Sequence, residues 1–130
     1  MKKINWGIKV KKFVGWIGLG ICLKNIIKNA NYHFNYNNIG HGSYLVSSNG
    51  YSWSHSVKEF NSAAKTFHFT VNDIIYMEYD PMDKKLRFRK NKGNEKFELS
   101  ITDPPANDEY HPCANICSNG DSVEIINPGI

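Results

Sequence analysis

The chain has 130 residues, of which 41% are hydrophobic and 13% aromatic, so it holds enough apolar material for the core of one domain of ordinary size. Its formal net charge of +4 at pH 7 is modest and lacks the strong basic excess that is typical of a dedicated nucleic-acid-binding protein. We therefore predict a single domain that spans residues 1–130.

The N-terminal segment begins with basic and continues with apolar residues, as a signal peptide does. The apolar stretch from Phe13 to Leu23 is much shorter than the about 20 residues that span a bilayer, and no small-residue cleavage site follows it. The sequence therefore predicts neither a targeting segment nor a membrane-spanning one, and we expect a cytoplasmic protein.

Residues 4–23 alternate with a period of two, which is the pattern of strands with one buried face. The first run places four apolar side chains on one face: Ile4, Trp6, Ile8 and Val10. In the second run, Gly18, Gly20 and Cys22 leave one face nearly bare, which predicts that another group packs closely over it. The short connection at residues 11–14 predicts that the two strands form an antiparallel hairpin.

The middle of the chain combines short strands with polar segments. Residues 37–42 have the composition of a turn, and residues 43–48 that of a short strand. We interpret residues 48–65 as a long polar connection that contains aromatic side chains, with a short helical turn between residues 57 and 65. Alternation resumes in residues 66–71, where three apolar side chains share a face: Phe67, Phe69 and Val71.

A β-hairpin is predicted around Asp80 and Pro81. Asp80 favours the start of a turn, and Pro81 fixes the φ angle of the next position. Glu78 lies in the strand before this turn, and the outward-facing Arg87 and Arg89 lie in the strand after it. We expect Glu78 to attract one of these arginines across the strands, which contributes a few tenths of a kcal/mol to about 1 kcal/mol.

The last third of the chain continues the same pattern. Residues 102–112 form a proline-containing loop, and residues 113–118 and 122–126 are strands around Asn119-Gly120, a dipeptide typical of hairpins. Many short strands with frequent turns and no convincing helix predict an all-β antiparallel sandwich or barrel. The inward-facing residues of this part are predicted to be Leu86, Phe88, Phe97, Leu99 and Ile101.

The cysteines are predicted to be free, buried thiols. Cys113 and Cys117 are separated by about 13 Å if the segment is extended, whereas a disulfide requires Cα atoms within about 7 Å. A zinc site formed by His111, Cys113 and Cys117 is the alternative, but it lacks a second ligand pair at the usual spacing.

The order of these segments resembles that of the SPRY domain family. "NWGIKV" and "WIGLGIC" resemble its early tryptophan-containing and glycine-containing strands, and "GSYLVSSNGYSWSHS" its serine-aromatic strand and loop. "NDIIYMEYDPMDKKLRFRKNKGNEKFELSI" resembles the central hairpin of the family, and "YHPCANICSNGDSVEII" its closing pattern. The resemblance runs from about Trp6 to Ile126, with Gly7 and Asn72 departing from the usual residues.

The resemblance implies a fold, a function and the absence of a cofactor. The fold is a bent antiparallel β-sandwich of the concanavalin A-like jelly-roll type. The strands that usually precede the first one are not recognisable, so the chain is either a minimal version or a fragment with an uncapped sheet edge. The implied function is that of a protein–protein interaction module or adaptor, which recognises a peptide or protein surface through loops at the end of the sandwich and does not bind a membrane.

Residues of the kind found in binding hot spots occur in three predicted loops. We expect these residues to contact the partner, although Trp53 has the alternative of packing back onto the core and Tyr110 that of anchoring the core before Pro112. The candidate partner-binding residues are Tyr51, Trp53, His55, Asn91, Lys92, Tyr110 and His111.

Two other functions are alternatives. A nucleic-acid-binding domain would use the basic hairpin of residues 84–96, but Phe88 alternates inward, and a solvated strand face explains the charges equally well. A small hydrolase would need a histidine paired with a nucleophile, and no spacing in the sequence indicates such a mechanism. We therefore predict no catalytic residue and no metal.

Overall fold

A computed structural model describes residues 2–33, 35–61 and 63–126, and these form ten strands and one short helix. The first half contains β1 (Ile4–Lys12), β2 (Ile17–Leu23), α1 (Lys24–Asn29), β3 (Ser43–Ser47) and β4 (Asn49–Ser54). A 3-10 turn at Lys58–Phe60 confirms the helical turn predicted between residues 57 and 65. The second half contains β5 (Ala63–His68), β6 (Ile74–Asp80), β7 (Lys85–Lys90), β8 (Lys96–Ser100), β9 (Tyr110–Ile116) and β10 (Ser122–Ile126).

The strands form two five-stranded sheets that pack face to face. Sheet A has the order β10-β1-β6-β7-β8, and sheet B has the order β5-β4-β3-β2-β9. All neighbouring strands within each sheet are antiparallel. The predicted all-β antiparallel sandwich is therefore confirmed.

Two of the predicted hairpins are wrong. β1 and β2 lie in different sheets, and so do β9 and β10, because residues 13–16 and residues 117–121 carry the chain from one sheet to the other. The two crossings are joined by Asp121, whose Oδ1 accepts hydrogen bonds from the N–H groups of Val14 at 2.6 Å and Gly15 at 3.0 Å. A short turn between two alternating strands is compatible with a hairpin in one sheet and with a crossing to the other sheet. In both cases the apolar face of each strand is buried in the same core.

The hairpin predicted around Asp80 is confirmed. β6 and β7 are paired in register, with Glu78 opposite Arg87. Oδ1 of Asp80 accepts hydrogen bonds from the N–H groups of Met82 at 3.2 Å and Asp83 at 3.1 Å, which is the local turn geometry that an aspartate favours. Nη1 of Arg87 lies 2.7 Å from Oε1 of Glu78, so the predicted cross-strand attraction is confirmed as well.

The core lies between the sheets and includes most of the inward-alternating side chains that the pattern predicted, together with Tyr44, Val46 and Met77. Burying each leucine, isoleucine or phenylalanine contributes about 1.5–3 kcal/mol relative to leaving it exposed. Two predicted inward residues differ, because Ile4 at the start of β1 is 54% exposed and Val71, beyond the end of β5, is 44% exposed. The central buried residues are Trp6, Ile8, Val10, Leu19, Ile21, Tyr44, Val46, Met77, Leu86, Phe88 and Leu99.

The helix α1 was not predicted. Its six residues include the buried Ile27. Its first turn is capped by Asp108, which accepts hydrogen bonds from the N–H groups of Asn25 at 2.8 Å and Ile26 at 3.2 Å. Because this cap lies more than 80 positions away in the sequence, no local signal marks the start of the helix. None of the helical segments described here has the length and apolar character needed to cross a membrane.

Candidate functional site

The outer face of sheet B, which points away from the core, has an almost bare backbone at its centre. Gly18 and Gly20 of β2 lie on this face, because their neighbours Leu19 and Ile21 are buried in the core. A Cβ atom added to Gly20 would overlap the carbonyl oxygen of Tyr44. At Gly18 an added Cβ atom would meet the ring of Trp16, so the prediction that another group packs closely over this face is confirmed there.

Four aromatic side chains form a cluster on this face, and we call them the aromatic patch: Trp16, Tyr36, Tyr51 and Trp53. The ring centroid of Tyr36 lies 6.1 Å from that of Trp16 and 5.4 Å from that of Trp53. Trp53 in turn lies 6.4 Å from Trp16 and 6.2 Å from Tyr51. All four side chains are half-buried, so each keeps part of its surface open to solvent. The patch is therefore a contiguous aromatic surface, on a sheet face that also holds the buried Leu45 of β3 opposite Gly20 and Trp53.

Tyr36 is held in this patch by contacts from three directions. Its hydroxyl accepts a hydrogen bond from the side-chain amide of Asn115 in β9. The ring of His41 meets it edge-on at 5.2 Å, and Trp16 and Trp53 contact it as described. Burial raises the pKa of Tyr36 well above its ordinary value, so the phenol is neutral at physiological pH. Tyr36 therefore connects the segment before β3 to the edge strand β9.

Two histidines border the patch and fix the backbone beside it. Nδ1 of His55 accepts a hydrogen bond from the N–H of Gly42 at 2.8 Å, and Nδ1 of His41 accepts one from the N–H of Ser43 at 3.1 Å. Burial lowers the pKa of His41 to about 4 and also lowers the pKa of His55. Both imidazoles are therefore neutral near pH 7 and accept backbone hydrogen bonds.

Four of the residues predicted to bind a partner lie on this side of the sandwich, three of them in strands rather than in loops. Tyr51 and Trp53 lie in β4, and His55 follows that strand directly, with its ring 6.3 Å from that of His41. His111 lies in β9 opposite Cys22 and shares the outer face of sheet B. The prediction that residues 48–65 form one long connection is wrong, since β4 and the start of β5 occupy half of it.

The strand β4 was missed because its inward positions are not apolar. Ser52 and Ser54 face the core and are fully buried. The hydroxyl of Ser52 donates to the carbonyl of Phe60 at 3.1 Å, while Oγ of Ser54 accepts from the N–H of Val57 at 2.9 Å. Buried serines satisfied in this way do not produce the hydrophobic alternation by which a strand is recognised.

The remaining predicted residues lie elsewhere. The ring of Tyr110 contacts those of Tyr44 at 6.0 Å and Tyr79 at 5.7 Å, and its hydroxyl donates to the carbonyl of Thr102 at 2.8 Å. This arrangement supports the alternative that Tyr110 anchors the core. Asn91 and Lys92 follow β7 in sheet A, where Oδ1 of Asn91 accepts a hydrogen bond from the N–H of Ile74 at 2.9 Å.

Trp16 and Tyr36 belong to the patch but were not selected from the sequence. Trp16 lies in the crossing between the sheets, and Tyr36 is followed by residues with the composition of a turn. The only available signal was the bare glycine face itself, which predicts that something covers β2 without indicating which residue does so.

The three cysteines are free thiols, as predicted, but they are not fully buried, because Cys22 and Cys113 are half-buried and Cys117 is exposed. Cys22 and Cys113 lie on neighbouring strands beside the patch, and a hydrogen bond between their thiols lowers the pKa of Cys22 and raises that of Cys113. Within residues 2–33, 35–61 and 63–126, no three His, Cys, Asp or Glu side chains are grouped so that they could hold a metal ion.

Comparison with known proteins identifies the fold. No protein-family model matches the chain, and no curated protein matches it by sequence. Among solved structures, it is similar to the SPRY domain of human HERC1, with a TM-score of 0.70 and 19% sequence identity. The match covers 98% of this chain and 76% of that one. The SPRY-type sandwich expected from the order of the segments is therefore confirmed.

Proposed function

We propose that this chain is a non-catalytic protein-interaction module that binds a peptide or a protein surface through the aromatic patch. The observation that carries the proposal is the contact of Tyr36 with both Trp16 and Trp53 on an open sheet face. Tryptophan and tyrosine dominate binding hot spots because they bury a large area at a low entropic cost. The SPRY-type fold supports the same function, because the resemblance implies an interaction module.

Packing and a hydrogen bond hold the patch in place, which favours binding. At Gly18 the ring of Trp16 packs directly on the backbone of β2, and Asn115 holds Tyr36 by a hydrogen bond. Side chains that are already ordered lose little conformational entropy when a partner binds. A stable interface buries about 800 Å² on each partner, so the bordering residues of β9 and the segment of residues 35–42 would contribute the rim.

In this proposal the partner is bound mainly by a sheet face and not, as expected from the sequence, by loops at the end of the sandwich. Tyr51 and Trp53 lie in a strand, so the sheet face would supply the central contacts and the adjacent loop the peripheral ones. We propose His55 and His111 as peripheral contacts, because they border the same surface. Asn91 and Lys92 lie in the other sheet and are assigned no role in this site.

The charges of the basic hairpin weigh against nucleic-acid binding as the main function. Four of its seven cations have acidic partners within 4.0 Å, which reduces the positive potential available to a phosphate backbone. The paired cations are Lys84 with Asp103, Lys85 with Glu98, Arg87 with Glu78, Asp80, Asp83 and Glu98, and Lys90 with Asp73.

We propose that residues 1–130 act as one domain in a reducing compartment such as the cytoplasm. Both sheets contribute to one hydrophobic core, which supports a single folding unit. The free thiols of Cys22, Cys113 and Cys117 support a reducing environment.

Affinity capture from the native source tests the proposed function. The wild-type chain, Trp53→Ala and Tyr32→Ala would be immobilised in parallel, because Tyr32 is 69% exposed and lies outside the patch. We expect the wild type and Tyr32→Ala to retain the same specific protein and Trp53→Ala to lose it while remaining folded. Equal retention by Trp53→Ala would contradict the proposal.

A further inference from the structure

The outer face of sheet A carries an open groove of about 750 Å³, on the side of the sandwich opposite the aromatic patch. Its walls are formed by side chains that alternate away from the core on three neighbouring strands: Tyr76 and Glu78, Arg87 and Arg89, and Lys96 and Glu98. Antiparallel pairing places these side chains in two rows across the sheet. The first row is Glu78, Arg87 and Glu98, and the second row is Tyr76, Arg89 and Lys96.

In the first row one arginine is paired with two glutamates, which leaves the row with a net negative charge. Arg87 lies directly between Glu78 and Glu98 in the register of the sheet. Its Nη1 lies 2.7 Å from Oε1 of Glu78, and its Nε lies 3.3 Å from Oε2 of Glu98. Nη1 of Arg87 also lies 2.8 Å from Oδ2 of Asp80, so the guanidinium is already paired with acidic groups of the protein itself.

The second row has two positive charges without a negative one. Arg89 of β7 lies directly opposite Lys96 of β8, and neither has an acidic partner among the described residues. Like charges that face each other across strands destabilise a sheet. The guanidinium carbon of Arg89 lies 5.6 Å from the ring centroid of Tyr76, and this cation–π contact holds the guanidinium over the ring.

We infer that this groove binds a protein segment that carries a single acidic side chain, whose carboxylate lies between Arg89 and Lys96. A carboxylate placed there would relieve the repulsion between the two cations and accept charge-assisted hydrogen bonds from both. Lys92, which also lines the groove and has no ion pair among the described residues, adds to the positive potential.

The neighbouring row limits how many negative charges the ligand carries. The two rows are two residues apart along the strands, or about 7 Å. Glu78 and Glu98 therefore repel a second acidic group at the adjacent position. The groove thus selects an isolated aspartate or glutamate in an otherwise uncharged segment and disfavours a polyanion such as a nucleic acid.

Selection from a library of random twelve-residue peptides displayed on phage tests this inference with the full chain. We expect the enriched peptides to share one acidic residue and to bind the Arg89→Gln, Lys96→Gln double variant at least tenfold more weakly. The Lys28→Gln, Lys58→Gln double variant is the matched control, because it loses the same charge at exposed positions outside the groove, and it should bind like the wild type. Trp53→Ala should also bind these peptides normally, because the patch is on the other sheet.

A charge-reversed variant tests whether the two cations determine the charge of the bound peptide. Arg89→Glu with Lys96→Glu should enrich peptides that carry one lysine or arginine. The thermal unfolding midpoint of the glutamine double variant should equal or exceed that of the wild type, because the repulsion is removed. The inference is judged on the enriched peptides that also bind Trp53→Ala. It is overturned if there are none, if they lack a common acid, if the glutamine double variant binds them equally well, or if a single-stranded oligonucleotide binds the same two residues more tightly.

Discussion

Trp16 packs directly over Gly18, so closely that a Cβ atom added at position 18 would lie 2.8 Å from Cη2 of Trp16. The absence of a side chain at Gly18 is thus what allows an aromatic ring to pack against the sheet. Because Tyr36 and Trp53 contact Trp16, the shape of the aromatic patch depends on this glycine.

Alanine substitutions should destabilise the protein at glycines that are closely packed and have little effect at a glycine that faces open space. Gly20→Ala should destabilise the protein by more than Gly18→Ala, because the new Cβ would meet the backbone of Tyr44 rather than a movable ring. We expect Gly18→Ala to cost about 1–3 kcal/mol, the range for overpacking. Gly93→Ala is the control, since its Cβ would lie 3.7 Å from the nearest atom, the carbonyl oxygen of Lys90. Urea unfolding measures the free energy of unfolding of all three variants. An equal loss for Gly20→Ala and Gly93→Ala would show that the close packing at Gly20 does not limit the side chain there.

Trp53→Ala should weaken partner binding more than it weakens folding. Loss of a hot-spot tryptophan costs about 2 kcal/mol or more in binding, which corresponds to about a 30-fold rise in Kd. The folding cost should stay below the about 3–5 kcal/mol of a fully buried tryptophan, because Trp53 is half-buried. Titration calorimetry and thermal unfolding of the same preparation measure the two effects, and a loss of folding without a specific loss of binding would assign Trp53 a structural role only.

Ser54→Ala should destabilise the end of β4. The hydroxyl oxygen of Ser54 accepts hydrogen bonds from the N–H groups of Ser56 at 3.2 Å and Val57 at 2.9 Å, and the residue is fully buried. Leaving these donors without a partner costs about 1–3 kcal/mol. Ser100→Ala, at an exposed position of β8, should change the free energy of unfolding by less than about 0.5 kcal/mol. Equal effects at the two positions would show that the buried serine does not stabilise β4.

The stability of the protein should depend on His41 between pH 4 and pH 6.5. Burial lowers the pKa of His41 from 6.5 to about 4, so in this range the unfolded chain binds a proton that the folded one does not. The free energy of unfolding therefore falls as the pH falls through this window, by an amount on the order of 1–3 kcal/mol, and His41 has no further effect below pH 4.

His41→Asn is the matched variant, because an amide oxygen can replace Nδ1 as the acceptor for the N–H of Ser43 without titrating. Urea unfolding from pH 4 to pH 7 should show a smaller slope for His41→Asn than for the wild type. Parallel curves would mean that His41 does not contribute to the acid sensitivity.

The sequence predicted the fold where a local pattern and the packing coincide. The alternation of Leu86 and Phe88 predicted their burial, and Asp80 with Pro81 predicted the central hairpin. The pairing of β1 with β6 and β10, rather than with β2, could not be predicted, because the alternation records which face is buried but not which strand lies alongside. The start of α1 was hidden for a related reason, since its cap is the distant Asp108.

The candidate site was predicted in part. Tyr51 and Trp53 were selected for their chemistry and do lie together, but the buried serines of β4 made their strand look like a loop. Trp16 and Tyr36 could not be assigned to the site, because they reach it from segments outside the strands of sheet B.

Partner binding at the outer face of sheet B can be followed through the indole N–H signals of the three tryptophans. Trp16 and Trp53 lie in the patch, whereas Trp6 is 6% exposed and belongs to the core, so it serves as an internal reference. When the captured partner is added to ¹⁵N-labelled protein, the account predicts that the signals of Trp16 and Trp53 shift while that of Trp6 stays in place. Unshifted signals from Trp16 and Trp53 at saturating partner would contradict it.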